Sequence, residues 1–311
     1  MPTPLISVVV PAFERPEALL TCLRHLADQA LERDTFEVIV CDDGSTTPLE
    51  TLLGSHLQAL RERLQLRILR QKNAGPAAAR NRGAEVARGR FLAFTDDDCR
   101  PHREWLSRLL SRFSGTPEML IGGALANGVS DDRFAAANQH LMDFVYEARE
   151  QRRSGRRFFS TSNLAVPTEE FRRLNGFSTA FRRPAGEDYD FCARWQDAGF
   201  PMTYAPEAVV YHAHPLSLRS FSRQHFDYGR ALYLIRRRIA ARNGLRMRSE
   251  SPGFYLRMMV SPLRNSRRRR RWLEAGLVTW SQLMTLAGVC REAIALQRNP
   301  ESPASGGLSQ A

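Results

Sequence analysis

The sequence predicts an α/β fold: a mostly parallel, Rossmann-like sheet flanked by helices, followed by a basic helical extension. Three observations carry this. Short apolar runs alternate with helical patterns over the first hundred residues, most of those runs stop at polar or acidic residues, and arginine density rises steeply after Ser220. Four strand patterns separated by three helical ones mean βαβ units and a parallel sheet.

The elements follow in order. Ile6 to Val10 is a β-branched run ending at Pro11, as in a strand buried on both faces. Pro16 opens a stretch with Leu19, Leu20, Leu23 and Leu26 at helical spacing. Phe36 to Cys41 is a second strand, stopped by Asp42-Asp43-Gly44-Ser45, and Leu49 to Leu60 reads as one helix. Leu66 to Leu69 is a third strand; Pro76 to Val86 is an alanine-rich helix with proline in its first turn. Phe91 to Phe94 is a fourth strand, closed by three aspartates, with a further helix expected from about Pro101. Strands are expected near Met119 to Gly122, Phe158 to Val166 and Ala208 to Tyr211, and helices at Thr168 to Leu174 and Asp188 to Ala198. Beyond Ser220 the pattern is helical and basic, with thirteen arginines against one acid, Glu250, between Arg236 and Arg271. The tail from Asn299 is rich in Ser, Gly and Pro and is expected to be disordered.

Composition narrows the function classes. Of 311 residues, 43% are hydrophobic, which supports a real core. The net charge of +12 is almost wholly arginine, since Lys72 is the one lysine. That imbalance fits a GC-rich coding bias better than nucleic-acid binding, while still favouring anionic partners such as nucleoside diphosphates or an acidic membrane surface. The five cysteines are scattered without a C-x-x-C pair, so neither a zinc site nor a disulfide framework is expected. No basic segment precedes Ile6 to Val10, which is too short for a signal peptide, and a cytoplasmic setting is expected.

In a parallel sheet ligands bind outside the carboxyl ends of the strands, so Pro11 to Arg15, Asp42 to Ser45 and Asp96 to Asp98 share one edge. Thr95-Asp96-Asp97-Asp98 places three carboxylates together, costly unless a cation neutralises them. Oxygen ligands suit Mg²⁺ or Mn²⁺; a solvated acidic turn capping the next helix is the competing reading. Asp42-Asp43-Gly44-Ser45 reads as a base- or ribose-binding loop or as an Asp-Gly turn. In Asn73 to Asn81, free amides at a glycine-opened helix and Arg80 one turn in could face an anion, or the segment is an ordinary amphipathic helix. Gly186-Glu187-Asp188 offers a general base, or carboxylates that favour a helix N-terminus. In Tyr211-His212-Ala213-His214 the histidines would share one face of a strand and either could ligate a metal.

Taken in order, strand-DDGS, N-x-G-x-x-x-x-R-N, strand-TDDD, G-E-D and Y-H resemble the inverting family-2 glycosyltransferases of GT-A fold, over roughly Ile6 to His214. The resemblance implies a catalytic domain over residues 1–219, with a nucleotide-binding half (1–100) and an acceptor half (101–219); the basic extension (220–298) and the tail (299–311), read from composition, lie beyond it. It implies that Asp42 and Asp43 bind base and ribose beside Pro11, Phe13 and Glu14, with Arg80 near the donor. Asp96, Asp97 and Asp98 match the family's D-x-D motif: Asp98 would ligate the metal and Asp96 would support ribose or metal, with His212 a further metal ligand. Glu187 and Asp188 match the E-D motif, Asp188 being the base. Arg194-Trp195 resembles part of the R-W element, and Asn163 to Val166 a segment lining the acceptor side. Glu14 stands where the family often has Asn, Thr47 where it often has Asp, and Phe191 where processive members have Gln, which favours single-sugar transfer.

The function implied is transfer of a sugar from a nucleoside diphosphate sugar, UDP-sugar by default, to a glycan or lipid-linked acceptor in cell-envelope glycan or polysaccharide synthesis. The basic C-terminal region would touch the inner face of the membrane, through Trp272 and Trp280 with arginines on headgroups, or pack as a soluble helix. A sugar-nucleotide nucleotidyltransferase is the rival enzyme, but Val10 to Pro16 lacks the glycine-rich loop expected there. An arginine-rich membrane- or nucleic-acid-binding module is the non-catalytic alternative, and it leaves the carboxylates unexplained.

Overall fold

The computed structural model describes residues 3–129, 131–150, 157–181, 185–244, 247, 249–264 and 271–298. The chain forms two compact units, one of residues 1–128 with 157–213 and the other of 129–156 with 214–311. The expected tail from Asn299 and the arginines at 265–270 lie outside the described residues.

In the first unit, β1 (Ile6–Ala12) leads into α1 (Pro16–Ala27), and β2 (Phe36–Asp42) follows after a short 3-10 turn. Every residue of β1 and β2 is buried, which is why both read as largely apolar runs, interrupted by Ser7 in β1 and by Glu37 and the terminal Asp42 in β2. The helix expected from Leu49 to Leu60 is two helices, α2 (Leu49–Leu53) and α3 (His56–Arg63). Gly54 separates them at φ +47, a left-handed conformation that ends a helix. β3 (Leu66–Arg70), α4 (Pro76–Val86) and β4 (Phe91–Phe94) complete the alternation.

From there the reading needed correction. No helix starts at Pro101: Cys99–Pro101 is a three-residue strand, β5, and α5 runs from Trp105 to Gly115. β6 spans Leu120–Asn127 and hands the chain to α6 (Arg133–Glu150) of the second unit. The strand expected over Phe158 to Val166 begins only at Leu164, as β7 (Leu164–Pro167), because Thr161–Asn163 form a 3-10 turn. The reason is local. Ser160 accepts a hydrogen bond from the Ser162 amide, and Asn163 turns inward to donate to the Ala124 and Ala208 carbonyls, each at 2.8 Å. Then come α7 (Thr168–Arg173), α8 (Glu187–Asp197) and β8 (Met202–His212).

The eight strands lie in the order β3-β2-β1-β4-β7-β6-β8-β5. β1, β2, β3 and β4 pair parallel; β7 reverses direction against both β4 and β6, and β5 runs antiparallel to β8. Val9 stands opposite Phe94, so the residues after β1 and those after β4 leave the sheet side by side. At the other end of the sheet Glu37 is fully buried, yet it accepts from the Ser7 hydroxyl at 2.7 Å and from the amide and side chain of Arg88. A buried acid so completely satisfied is architectural.

The second unit is helical: α6, α9 (Leu218–Arg242), α10 (Pro252–Arg264) and α11 (Arg271–Arg298). α9 starts at a capping box in which Ser217 and Ser220 bond reciprocally. Gly229 on α9 faces the Thr285 backbone of α11, a contact any Cβ would obstruct.

Candidate active site

The loops after β1, β2 and β4 form one connected acidic edge. Glu14, at φ +56, donates its amide to the Ser45 hydroxyl at 2.9 Å and accepts from the Thr46 amide and hydroxyl at 2.6 Å. Those two bonds from Thr46 hold the Glu14 carboxyl below the ordinary range. An asparagine tolerates that left-handed φ better than glutamate does. Pro11 is buried inside β1, and Phe13 stands exposed beyond it.

Asp42 and Asp43 are both buried and both engaged. Asp42 accepts from the amides of Ser45 at 2.9 Å and Leu49 at 3.1 Å, capping the turn and α2. Asp43 accepts from Gln71 at 2.7 Å and from the amides of Ala74 and Gly75. These carboxylates shape the loops that run from β2 and into α4, the segments expected to cradle the nucleotide.

Arg80 is the hinge of the site. It is buried on α4 and reaches Asp96 at 2.6 Å with Nη2 and Glu187 at 2.9 Å with Nη1. Burial opposes its charge, but the two carboxylates outweigh that and raise its pKa. The other oxygen of Asp96 accepts from the Ser162 hydroxyl at 2.6 Å. Asp96 is thereby tied to α4 and to the turn before β7, whereas Asp98 faces β8.

Asp98 lies 3.2 Å from His212 Nε2 and pairs with Arg15 at 2.6 Å. Among the described residues, Asp98, Cys99 and His212 bring their ligand atoms within 4.8 Å of one another; Asp96 is not in that group. Burial holds the Cys99 thiol protonated far above its usual range, leaving carboxylate and imidazole as the effective donors. Burial disfavours the charged form of His212, yet the Asp98 hydrogen bond and charge raise its pKa overall. A carboxylate and an imidazole form a donor set that suits Mg²⁺ or Mn²⁺. His214 lies past the end of β8, so the strand-face argument does not extend to it.

Asp97 is fully buried and meets Arg15 Nη2 at 2.7 Å. Burial pushes its carboxyl up to about 7, against the pull of Arg15 and the Phe13 amide. Arg15 therefore clamps two acids at once, and the motif reading did not name it. The signal was topological: β1 and β4 are neighbours, so an arginine just past β1 lands on acids just past β4.

Asp188 opens α8 behind Gly186, which sits at φ +100. A helix N-terminus favours a carboxylate. Here burial first, and the adjacent Glu187 second, win over that and over Arg80, and Asp188 is pushed up to about 7. Arg194 and Trp195 are engaged in packing contacts instead. Arg194 ties Asp190 to the Leu174 and Gly176 carbonyls, and Trp195 donates to Pro201 O at 2.9 Å. Asn163 is likewise a core bracket, accepting from the Trp105 indole at 2.8 Å.

Relatives and solved structures bear on this arrangement. The chain is 29% identical over 215 residues to the glycosyltransferase AglE of Haloferax volcanii, covering 67% of each chain. It is 30% identical over 234 residues to the pre-mycofactocin glycosyltransferase of Mycobacterium tuberculosis, covering 72% of this chain but 46% of that protein. The mannosyltransferase PcManGT of Pyrobaculum calidifontis, solved with GDP-Man and Mn²⁺, superposes with a TM-score of 0.59 at 18% identity, over 98% of this chain and 79% of that one. S. aureus TarS 1-349 with UDP-GlcNAc superposes at 0.54, also at 18% identity, over 94% and 91%. At such identity these two structures speak for the fold, which is GT-A. The family model described as glycosyl transferase family 2 matches residues 7–185, a stretch that takes in the acid-bearing ends of β1, β2 and β4, and the chain belongs to that family.

Proposed function

We propose that this family-2 glycosyltransferase is metal-dependent and inverting, and moves one sugar from a nucleoside diphosphate sugar, UDP-linked by default, to an acceptor hydroxyl on a glycan or lipid-linked carrier. Cell-envelope glycan or polysaccharide synthesis is the setting this chemistry fits, with Mg²⁺ or Mn²⁺ as cofactor. The observation that carries the reading is the division of labour among the acids. Asp98 with His212 forms one cluster, Asp96 and Glu187 are bound by Arg80, and Asp188 is left near neutrality for proton transfer.

Asp98 and His212 would hold the metal, with Asp96 supporting ribose or metal from its Arg80 anchor. A divalent cation there supplies charge neutralisation for the diphosphate leaving group. Pro11, Phe13, Glu14, Asp42 and Asp43 border the nucleotide. Asp188 takes the proton of the acceptor hydroxyl as its oxygen bonds to the anomeric carbon. The bond from that carbon to the diphosphate oxygen breaks on the opposite face, and the departing nucleoside diphosphate keeps the electron pair. Glu187 holds Arg80, which keeps positive charge beside the donor.

Two measurements test this. A thermal-shift panel of nucleoside diphosphates and their sugars should show stabilisation that requires Mn²⁺, largest for one base; no response from any pair would remove the reading. Calorimetry on Asp98→Ala should show metal-dependent donor binding lost, by about 10-fold or more. Unchanged Mn²⁺-dependent affinity would place the metal elsewhere.

A further inference from the structure

Helix α11 is packed with its polar side inward. Its buried face carries Glu274, Ser281, Gly288 and Glu292 beside Leu277, Val278 and Leu296. Two of these inward polar groups are bonded within the second unit. Glu292 accepts from Arg230 Nε of α9 at 2.7 Å, and Ser281 donates to the Val278 carbonyl. Gly288 lets the two helices close up, for a Cβ there would fall on the Phe226 carbonyl.

The large apolar side chains are left outside. Trp272 is 71% exposed, Leu286 59% and Leu283 52%, with Trp280 and Ile294 also open. Residues 273, 276, 280, 283, 287, 290 and 294 are all exposed and non-ionisable apart from the Cys290 thiol, and they recur at alternating spacings of three and four. They form one stripe along a helix of 28 residues, about 40 Å at 1.5 Å per residue. A contiguous apolar face of this extent marks a surface that is covered in use.

Charge decides between occupants. The exposed charged residues of α11 are Arg271, Arg291 and Arg298, while both of its acids are buried. In the sequence, five successive arginines (267–271) lead into the helix. A second copy on this face would set arginine against arginine; an anionic surface would attract all of them. Tryptophans beside arginines on an apolar helix face are the composition of an interfacial helix. No helix among the described residues is long and apolar enough to cross a membrane, so the helix would lie in the plane.

We propose that the outward face of α11 is a docking surface for anionic lipid bilayers, its apolar stripe entering the headgroup boundary and the flanking Arg291 and Arg298 binding lipid phosphates. The inference deepens the membrane contact expected from sequence by assigning it to one helix face, and it stands apart from the transfer chemistry. Its failure would leave Mn²⁺-dependent donor binding, measured in solution, untouched.

The test is vesicle flotation of the full chain. The protein should float with phosphatidylcholine vesicles containing phosphatidylglycerol, stay behind with phosphatidylcholine alone, and be released by salt. Leu283→Ser and Ile294→Ser should each weaken partition roughly tenfold, with unchanged melting curves, since neither side chain is buried. Leu52→Ser, an exposed leucine of α2 in the other unit, should float like the parent. Failure to float, equal flotation with neutral vesicles, or stripe variants that float normally would overturn the proposal. So would stripe variants that turn a dimer into a monomer in sedimentation velocity without altering flotation, which would assign the face to a second copy.

Discussion

Asp188→Asn leaves a folded, donor-binding protein whose turnover has fallen by about 10²–10⁴-fold, the usual worth of a positioned general base. The amide keeps the shape of the carboxylate and still accepts the Tyr189 amide that Asp188 holds at 2.7 Å. Only the capacity to take a proton is removed. Parent and variant should bind a nucleoside diphosphate sugar with Mn²⁺ alike by calorimetry, while sugar transfer in a radiolabel assay collapses. Equal loss of binding and transfer would sink the assignment of Asp188 as base.

The pH dependence has a definite sign. Asp188 sits at about 7 in the fold, above its ordinary value of 3.8. In the parent, transfer should rise with pH through about 7 as the carboxylate forms, and the variant's residual rate should lack that limb. Stability runs the other way. Between about 4 and 7 the folded form retains a proton that the unfolded chain has released, so this group's contribution falls as pH rises. Asp188→Asn removes that penalty, so the variant should melt no lower than the parent at pH 8. Activity lost without stability lost is the signature of a group held for chemistry.

How much of this was legible without coordinates varied along the chain. The first half was legible because parallel strands buried on both faces, such as Ile6–Ala12 and Phe36–Asp42, appear as mostly apolar, β-branched runs with turn residues at their ends. The second half was harder. Its strands at Cys99–Pro101 and Leu164–Pro167 have three and four residues, too few to show a period. The acids at the strand ends were readable, but not how they divide. That Asp43 serves backbone amides, that Asp96 turns to Ser162, and that Arg15 grips Asp97 and Asp98 depend on loop paths. Periodicity also cannot say which face of a helix is inside. α11 buries Glu292 because Arg230, 62 residues earlier, is there to meet it.

Arg80→Met should cost about 3–5 kcal/mol, the penalty for removing one partner of a buried ion pair. At roughly 2–4 °C per kcal/mol for a domain of this size, the melting temperature falls by about 6–20 °C. Distance alone would not single out this arginine. Arg15 meets its acids at 2.6 and 2.7 Å, as short as the Arg80 contacts. Burial separates them: the Arg15 side chain is 44% exposed and that of Arg80 is 5% exposed. Water reaches the first guanidinium but not the second, although the Asp97 it grips is itself buried; Arg15→Met should therefore cost less than Arg80→Met, because Asp97, already pushed up to about 7, can take up a proton when its partner is lost. Adding Glu187→Gln to Arg80→Met should restore part of the loss, because one of the two stranded charges is then gone. A double variant no more stable than Arg80→Met alone would mean that Arg80 acts by packing, and that the cation at the centre of this site is not what holds its acids together.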